Sequence, residues 1–175
     1  PPEIPKGFKL ITQIVFNMII PEDLFSSSKI DSKSFMQRMR QEKDNSDVFK
    51  NYFKDIHYQN VAKTILLIAD WQLNQEKMAG KKRVNYIKSI INSTKMNYLE
   101  NYHFNETFFK NGRWGYSGWV DGKDIKQNSY IRIYVISNVK TKLVLIFKTN
   151  SIELEKSSHI ADIICNSIKL LEFIQ

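Results

Sequence analysis

Cysteine is almost missing from this chain. Cys165 is the single one in 175 residues, so no disulfide can form within it. Long apolar runs are missing as well: Ile65 to Ala69, as long as any, has the length of a strand, far short of a membrane span. Arginine is scarce beside lysine, although Lys and Arg together number 26 against 18 Asp and Glu, a net charge of +8. Arginine is the usual bidentate reader of phosphate, and only Lys81-Lys82-Arg83 forms a basic cluster. Nucleic acid is therefore a poor expectation, and a solvated basic surface or an acidic partner a better one. Metal-ligand spacing is missing too. His57, His103 and His159 stand far apart, and none belongs to a ligand-spaced cluster of His, Cys or carboxylates. Four of the six glycines, Gly112, Gly115, Gly118 and Gly122, fall in one stretch, but no helix and no Walker lysine follows, so this is not a phosphate loop. No catalytic, metal or cofactor site is expected, and the chain reads as a non-enzyme. An enzyme or small-ligand carrier would have to assemble its site from distant residues such as Asp70, His103, Glu106 and Tyr134.

What is present is the material of one globular domain. The 42% apolar and 25% charged contents are ordinary for such a domain, and the length allows a core without cross-links. Three prolines in the first five residues read as an extended tether over 1–6, with a single domain over 7–175. Such a start suits a chain trimmed of a signal peptide or lipoprotein leader, with a lipid anchor upstream of Pro1, and equally a cleaved tag or an arbitrary domain boundary. The bacterial periplasm or a membrane-anchored place in the envelope is the expected location, the cytoplasm the alternative.

Apolar periodicity supplies the elements. Phe8 to Ile20 is rich in β-branched and aromatic residues and reads as one bent strand or two short ones, ending at Pro21. Helices are expected from Asp31 or Ser32 to about Gln41, and from Ser46 or Asp47 to Ile56. Thr64 to Trp71 reads as a buried central strand. Val84, Ile87, Ile90 and Ile91 suit a helix ending near Asn92-Ser93-Thr94, and Met96 to Phe104 a strand. Asn111-Gly112 predicts the turn of a hairpin joining Thr107–Lys110 to Arg113–Val120, and Asp121-Gly122 repeats the turn chemistry. Asn128 to Asn150 forms the strongest pattern, a long hairpin. In it Tyr130, Arg132, Tyr134 and Ile136 share one face, while Ile131, Ile133 and Val135 share the other. Apolar residues on both faces require cover on both sides. A last amphipathic helix over Ser158 to Ile174, capped by Ser157 or Ser158, can supply one cover, with Cys165 as a small buried thiol beside its stripe. The result is an α+β fold, an antiparallel twisted sheet of about six strands with helices packed on its faces.

The order of these elements is similar to the Mog1/PsbP-like family, which includes DcrB-type proteins. The resemblance rests on Phe16-Asn17-Met18-Ile19-Ile20-Pro21-Glu22-Asp23 near the start. At the end it rests on Lys142-Leu143-Val144-Leu145-Ile146-Phe147 and on Ile163 to Leu171 with its Asn166-Ser167-Ile168 step. It covers the two ends of the chain; Asn74 to Asn105 and the Trp-rich hairpin do not map onto it. It implies the fold, and a role as a binding or assembly module of the kind used in small-GTPase release, photosystem assembly or secretion-system chaperoning. It assigns no functional residue.

The most suggestive surface is Arg113-Trp114-Gly115-Tyr116-Ser117-Gly118-Trp119. Trp114 and Tyr116 are expected on one face and Trp119 on the other. Cross-strand packing, with glycines filled by neighbouring rings, is the favoured reading of such rings; an interface for a protein or a glycan is the other. As an interface, Arg113, Trp114, Tyr116, Trp119 and Lys123 would meet a partner protein, an acidic one by charge. An immunity or chaperone protein for a secreted toxin is one specific version.

Overall fold

The computed structural model describes residues 3–26, 56–74, 80–124 and 126–171. Two strands open it, β1 (Phe8–Thr12) and β2 (Phe16–Pro21), followed by the short β3 (Phe25–Ser26). The two-strand reading of this stretch is the observed one. The helices expected over 31–41 and 46–55 lie outside the described residues. Ile56, expected at the end of the second, instead begins β4 (Ile56–Gln59). Its alternation of buried Ile56 and Tyr58 with exposed His57 and Gln59 has the two-residue period of a strand, too short a run to separate from the helical period before it.

Then come β5 (Ile65–Leu73) and α1 (Lys81–Lys95). The strand expected over Met96 to Phe104 is mostly a run of turns, with β6 limited to His103–Phe104. After it follow β7 (Phe108–Gly112), β8 (Gly115–Asp124), β9 (Ser129–Ser137), β10 (Thr141–Thr149), α2 (Leu154–Ser167) and β11 (Lys169–Leu170). No described helix is long and apolar enough to cross a membrane.

The strands form two antiparallel sheets. The large one has the order β3-β4-β5-β10-β9-β8-β6, with β7 pairing β8 beside β6. Six of its strands reach four residues or more, which are those a periodic pattern can reveal. The small sheet is β1-β2-β11. On one face of the large sheet, Tyr130, Tyr134, Leu145, Phe147, Leu67 and Trp71 pack with Phe16 and Met18 of β2 and with Ala161 and Ile164 of α2. On the other face, Ile131, Ile133, Val135 and Val120 pack with Ile87 and Ile91 of α1. All nine residues of β9 are buried, as the two-sided apolar pattern requires. The expected α+β architecture, an antiparallel sheet with helices on its faces, is the one observed.

The last helix differs at both ends from its expected span. It begins at Leu154, with Glu153 at the cap position and no side-chain cap. Ser157 is not the cap, because its buried hydroxyl bonds Thr149 Oγ1 at 2.6 Å and donates to the Glu153 carbonyl. The helix ends at Ser167 because Ile168 turns to extended backbone, and Lys169 and Leu170 pair with Asn17 and Phe16. Ser167 Oγ joins the pieces: it accepts the Ile19 N–H at 2.7 Å and donates to the Ile164 carbonyl at 2.7 Å.

Candidate functional site

The β7–β8 hairpin is present, but its turn lies two residues beyond the expected one. Gly112 pairs with Gly115 and Asn111 with Tyr116, which leaves Arg113 and Trp114 as the loop. Asn-Gly favours a tight turn, but side-chain pairing favours the observed register. In it Phe108 stacks on Trp119 with centroids 5.8 Å apart. Phe109 stacks on Tyr116 at 6.1 Å and its ring fills the space over Gly118, where a Cβ would meet the Phe109 ring at 3.0 Å and Ile87 Cγ2 at 2.8 Å. Asp121-Gly122 is not a turn either; β8 continues to Asp124.

This register redistributes the predicted partner residues. Trp114, in the loop, packs with Trp119 against the α2-side core, while Tyr116 packs on the α1 side. Trp114 and Tyr116 therefore do not share a face. Lys123 lies farther along β8, exposed and paired with His103 and Tyr130. Arg113, Trp114 and Trp119 come together; Tyr116 and Lys123 stand apart from them.

They come together around a cavity of about 200 Å³ between the hairpin end, β9 and α2, whose lining includes Lys110, Trp114, Trp119, Arg132, Tyr134 and Asp162. Its rim is cationic. Arg113 Cζ lies 4.7 Å and Lys169 Nζ 4.6 Å from the Trp114 ring centroid, within cation–π range. Lys110 and Arg113 are exposed, and Phe108, 53% exposed, carries the aromatic surface outward from Trp119.

The wall of the cavity holds a charged cluster built by strand register. Arg132 is 4% exposed and stands opposite Asp121. Its Nε donates to Asp121 Oδ1 at 2.6 Å and its Nη2 to Asp121 Oδ2 at 3.1 Å; its Nη1 donates to Asp162 Oδ1 of α2 at 2.6 Å. Burial by itself would push the guanidinium down, but the Asp121 hydrogen bonds and the charge interactions with its neighbours together outweigh it and hold Arg132 firmly charged. The two aspartates differ: Asp121, 20% exposed, grips with both oxygens, whereas Asp162, 54% exposed, offers one. Burial pushes the Cys165 thiol up to about 12, so near neutral pH it is a protonated wall group. Burial likewise raises Tyr134, against the pull of its hydrogen bond with Ser117.

The sequence pattern missed Phe108, Lys110, Asp162 and the partners of Arg132. One signal was available: Arg132 is the single charge in an apolar strand, and a buried charge requires an opposite charge near it. Of the rival set, Tyr134 alone lines the cavity; Asp70 lies on β5, His103 on β6 and Glu106 between β6 and β7. Among the described residues, no three His, Cys, Asp or Glu side chains are grouped to hold a metal ion.

No protein-family model matches the chain, and no curated protein matches it. Solved structures do match. One is cyanobacterial PsbP (CyanoP) from Synechocystis sp. PCC 6803, at a TM-score of 0.61 and 6% identity, covering 94% of this chain and 93% of that one. Another is a mutant of the protein Mog1, at a TM-score of 0.54 and 10% identity, covering 94% and 96%. At these identities the likeness concerns the fold. It extends through the middle segment that the sequence resemblance could not place. The chain has the Mog1/PsbP-like fold.

Proposed function

We propose that this is a non-enzymatic binding module that recognises another protein through the end of its β7–β8 hairpin. The observation that carries the proposal is the joining of exposed Arg113 and Lys110 to Trp114 and Trp119 around one concave opening, with Phe108 stacked on Trp119. Aromatic and arginine anchors beside a pocket are the usual makings of an interface hot spot. The dispersal of Asp70, His103 and Glu106 away from Tyr134, and a Cys165 thiol too weakly acidic to act as a nucleophile, support a non-catalytic role.

A small ligand or a sugar ring is the second reading, favoured by the aromatic walls. The size of the cavity speaks against it, since about 200 Å³ falls below the roughly 300 Å³ at which ligand pockets begin and suits one inserted side chain. The bacterial envelope is the compartment we propose, and an immunity or chaperone protein for a secreted toxin the specific role; fractionation of native cells checks the first, with recovery in the cytoplasm overturning it.

The binding reading is tested with a photo-crosslinking residue in place of Asn111, an exposed position beside the loop and outside the cavity lining. In native lysate it is expected to trap one protein partner, and Trp114→Ala and Trp119→Ala in the same protein to abolish the adduct while thermal unfolding stays cooperative. An adduct unaffected by either substitution, or no adduct, places the interface elsewhere.

A further inference from the structure

We infer that the cavity takes a carboxylate side chain from an acidic segment of the partner protein, and that Asp162 is a built-in competitor for the same position. The inference rests on the reading of the hairpin end as the interface, and adds the chemistry of what enters it.

Three observations carry it. The first is charge: among the lining residues Lys110, Arg113 and Arg132 are cationic and Asp162 alone is anionic, with Lys169 close behind Trp114. A concave site with an excess of one sign strengthens the pull on an opposite charge. The second is size, since about 200 Å³ lies below the roughly 300 Å³ at which ligand pockets begin and suits one side chain better than a nucleotide. The third is the asymmetry of the Arg132 cluster. Asp121 satisfies Arg132 with a two-point grip from the neighbouring strand. Asp162 holds Nη1 through one oxygen, and its side chain is more than half exposed at the cavity. That edge of the guanidinium thus already binds a carboxylate at 2.6 Å, in a position an incoming Asp or Glu can share or take. The chemistry of the site is carboxylate exchange on a buried arginine, with Lys110 and Arg113 steering the approach. A phosphate backbone fits less well: it needs an extended cationic track, whereas here the cations ring a single opening beside a carboxylate.

The consequence has an unusual sign. Removing a polar contact ordinarily weakens binding, but neutralising Asp162 should strengthen it. The test is fluorescence anisotropy of a labelled peptide of alternating Glu and Gly, against the same peptide with Gln for Glu, a labelled single-stranded DNA and phosphatidylserine vesicles. Wild type should prefer the Glu peptide, increasingly as salt is lowered. Asp162→Asn should tighten it by about threefold or more, and Arg113→Glu should weaken it by about tenfold. Asn166→Asp, which adds a carboxylate at an exposed lining position, should also weaken it, and serves if Asp162→Asn folds poorly. Equal binding of the Glu and Gln peptides overturns the inference. So does weaker or unchanged binding by a folded Asp162→Asn, or tighter binding of the DNA or the vesicles. A partner crosslinked at position 111 whose capture ignores Asp162→Asn and Asn166→Asp overturns this inference alone; absence of any crosslinked partner overturns the interface reading beneath it.

Discussion

At the scale of single residues, the site depends on a few positions with no substitute. Gly115 is the sharpest. Its φ of 154° lies in territory that favours glycine, and a Cβ there would stand 2.7 Å from the Ser137 carbonyl oxygen. The obstacle is backbone, which cannot rotate away as a side chain can. Gly115→Ala is therefore expected to cost about 2 kcal/mol or more and to loosen the hairpin end first. Denaturant midpoints read the total, and amide exchange in 110–118 reads the location. Equal stability would mean that this hairpin end rearranges freely. Arg132 is the converse case, where a residue that appears misplaced in an apolar strand is made acceptable by Asp121 directly across and Asp162 above. A buried pair of this kind is weak as a source of net stability, but removal of either partner leaves an uncompensated charge.

At the scale of elements, the chain closes through Ser167. Its hydroxyl ends α2 and receives the Ile19 N–H of β2, tying the last helix to the small sheet. Ser167→Ala would leave that buried N–H without its acceptor, at a cost of about 1–2 kcal/mol. Faster exchange of the Ile19 amide than of its neighbours would locate the effect, and an unchanged rate would show that the bond is dispensable. Strands and helices of five residues or more were mostly legible beforehand, because β5, α1, β8, β9 and β10 each carry a period that survives local noise. Boundaries were not. The Asn111-Gly112 turn moved because Phe108–Trp119 and Phe109–Tyr116 stacking outweighs turn preference, and ring pairing across strands is invisible until the register is known. The helix end at Ser167 was hidden because Ile168 and Leu171 continue the apolar spacing, although Lys169 and Leu170 serve as a strand. Two-residue strands such as β3, β6 and β11 carry no period at all.

At the scale of the whole molecule, one sheet is enclosed between α1 on one side and α2 with the small sheet on the other. Several ionisable groups are caught in that enclosure, and this sets a pH dependence. Burial raises Cys165 from its ordinary 9.0 to about 12, and raises Tyr58, Tyr130 and Tyr134 above 10.0. Between those values the unfolded chain releases protons that the folded chain retains, so the unfolded state gains as pH rises. Stability should be complete below about pH 9, decline as pH climbs toward 12, and decline more steeply above 10 as the tyrosines join. Urea midpoints across that range check it; Cys165→Ala should flatten the first part of the decline, and an unchanged slope would remove Cys165 from the account. The sequence by itself determined what periodicity and composition encode: an α+β domain, an antiparallel sheet apolar on both faces, a basic surface, and a ring-rich hairpin near the end. Only the tertiary structure decided which of those rings meet. The cavity of Lys110, Trp119, Arg132 and Asp162 joins β7, β8, β9 and α2, residues up to 52 positions apart. Their meeting depends on strand register and on where α2 lands, and both are settled by long-range packing that no local stretch of the chain encodes.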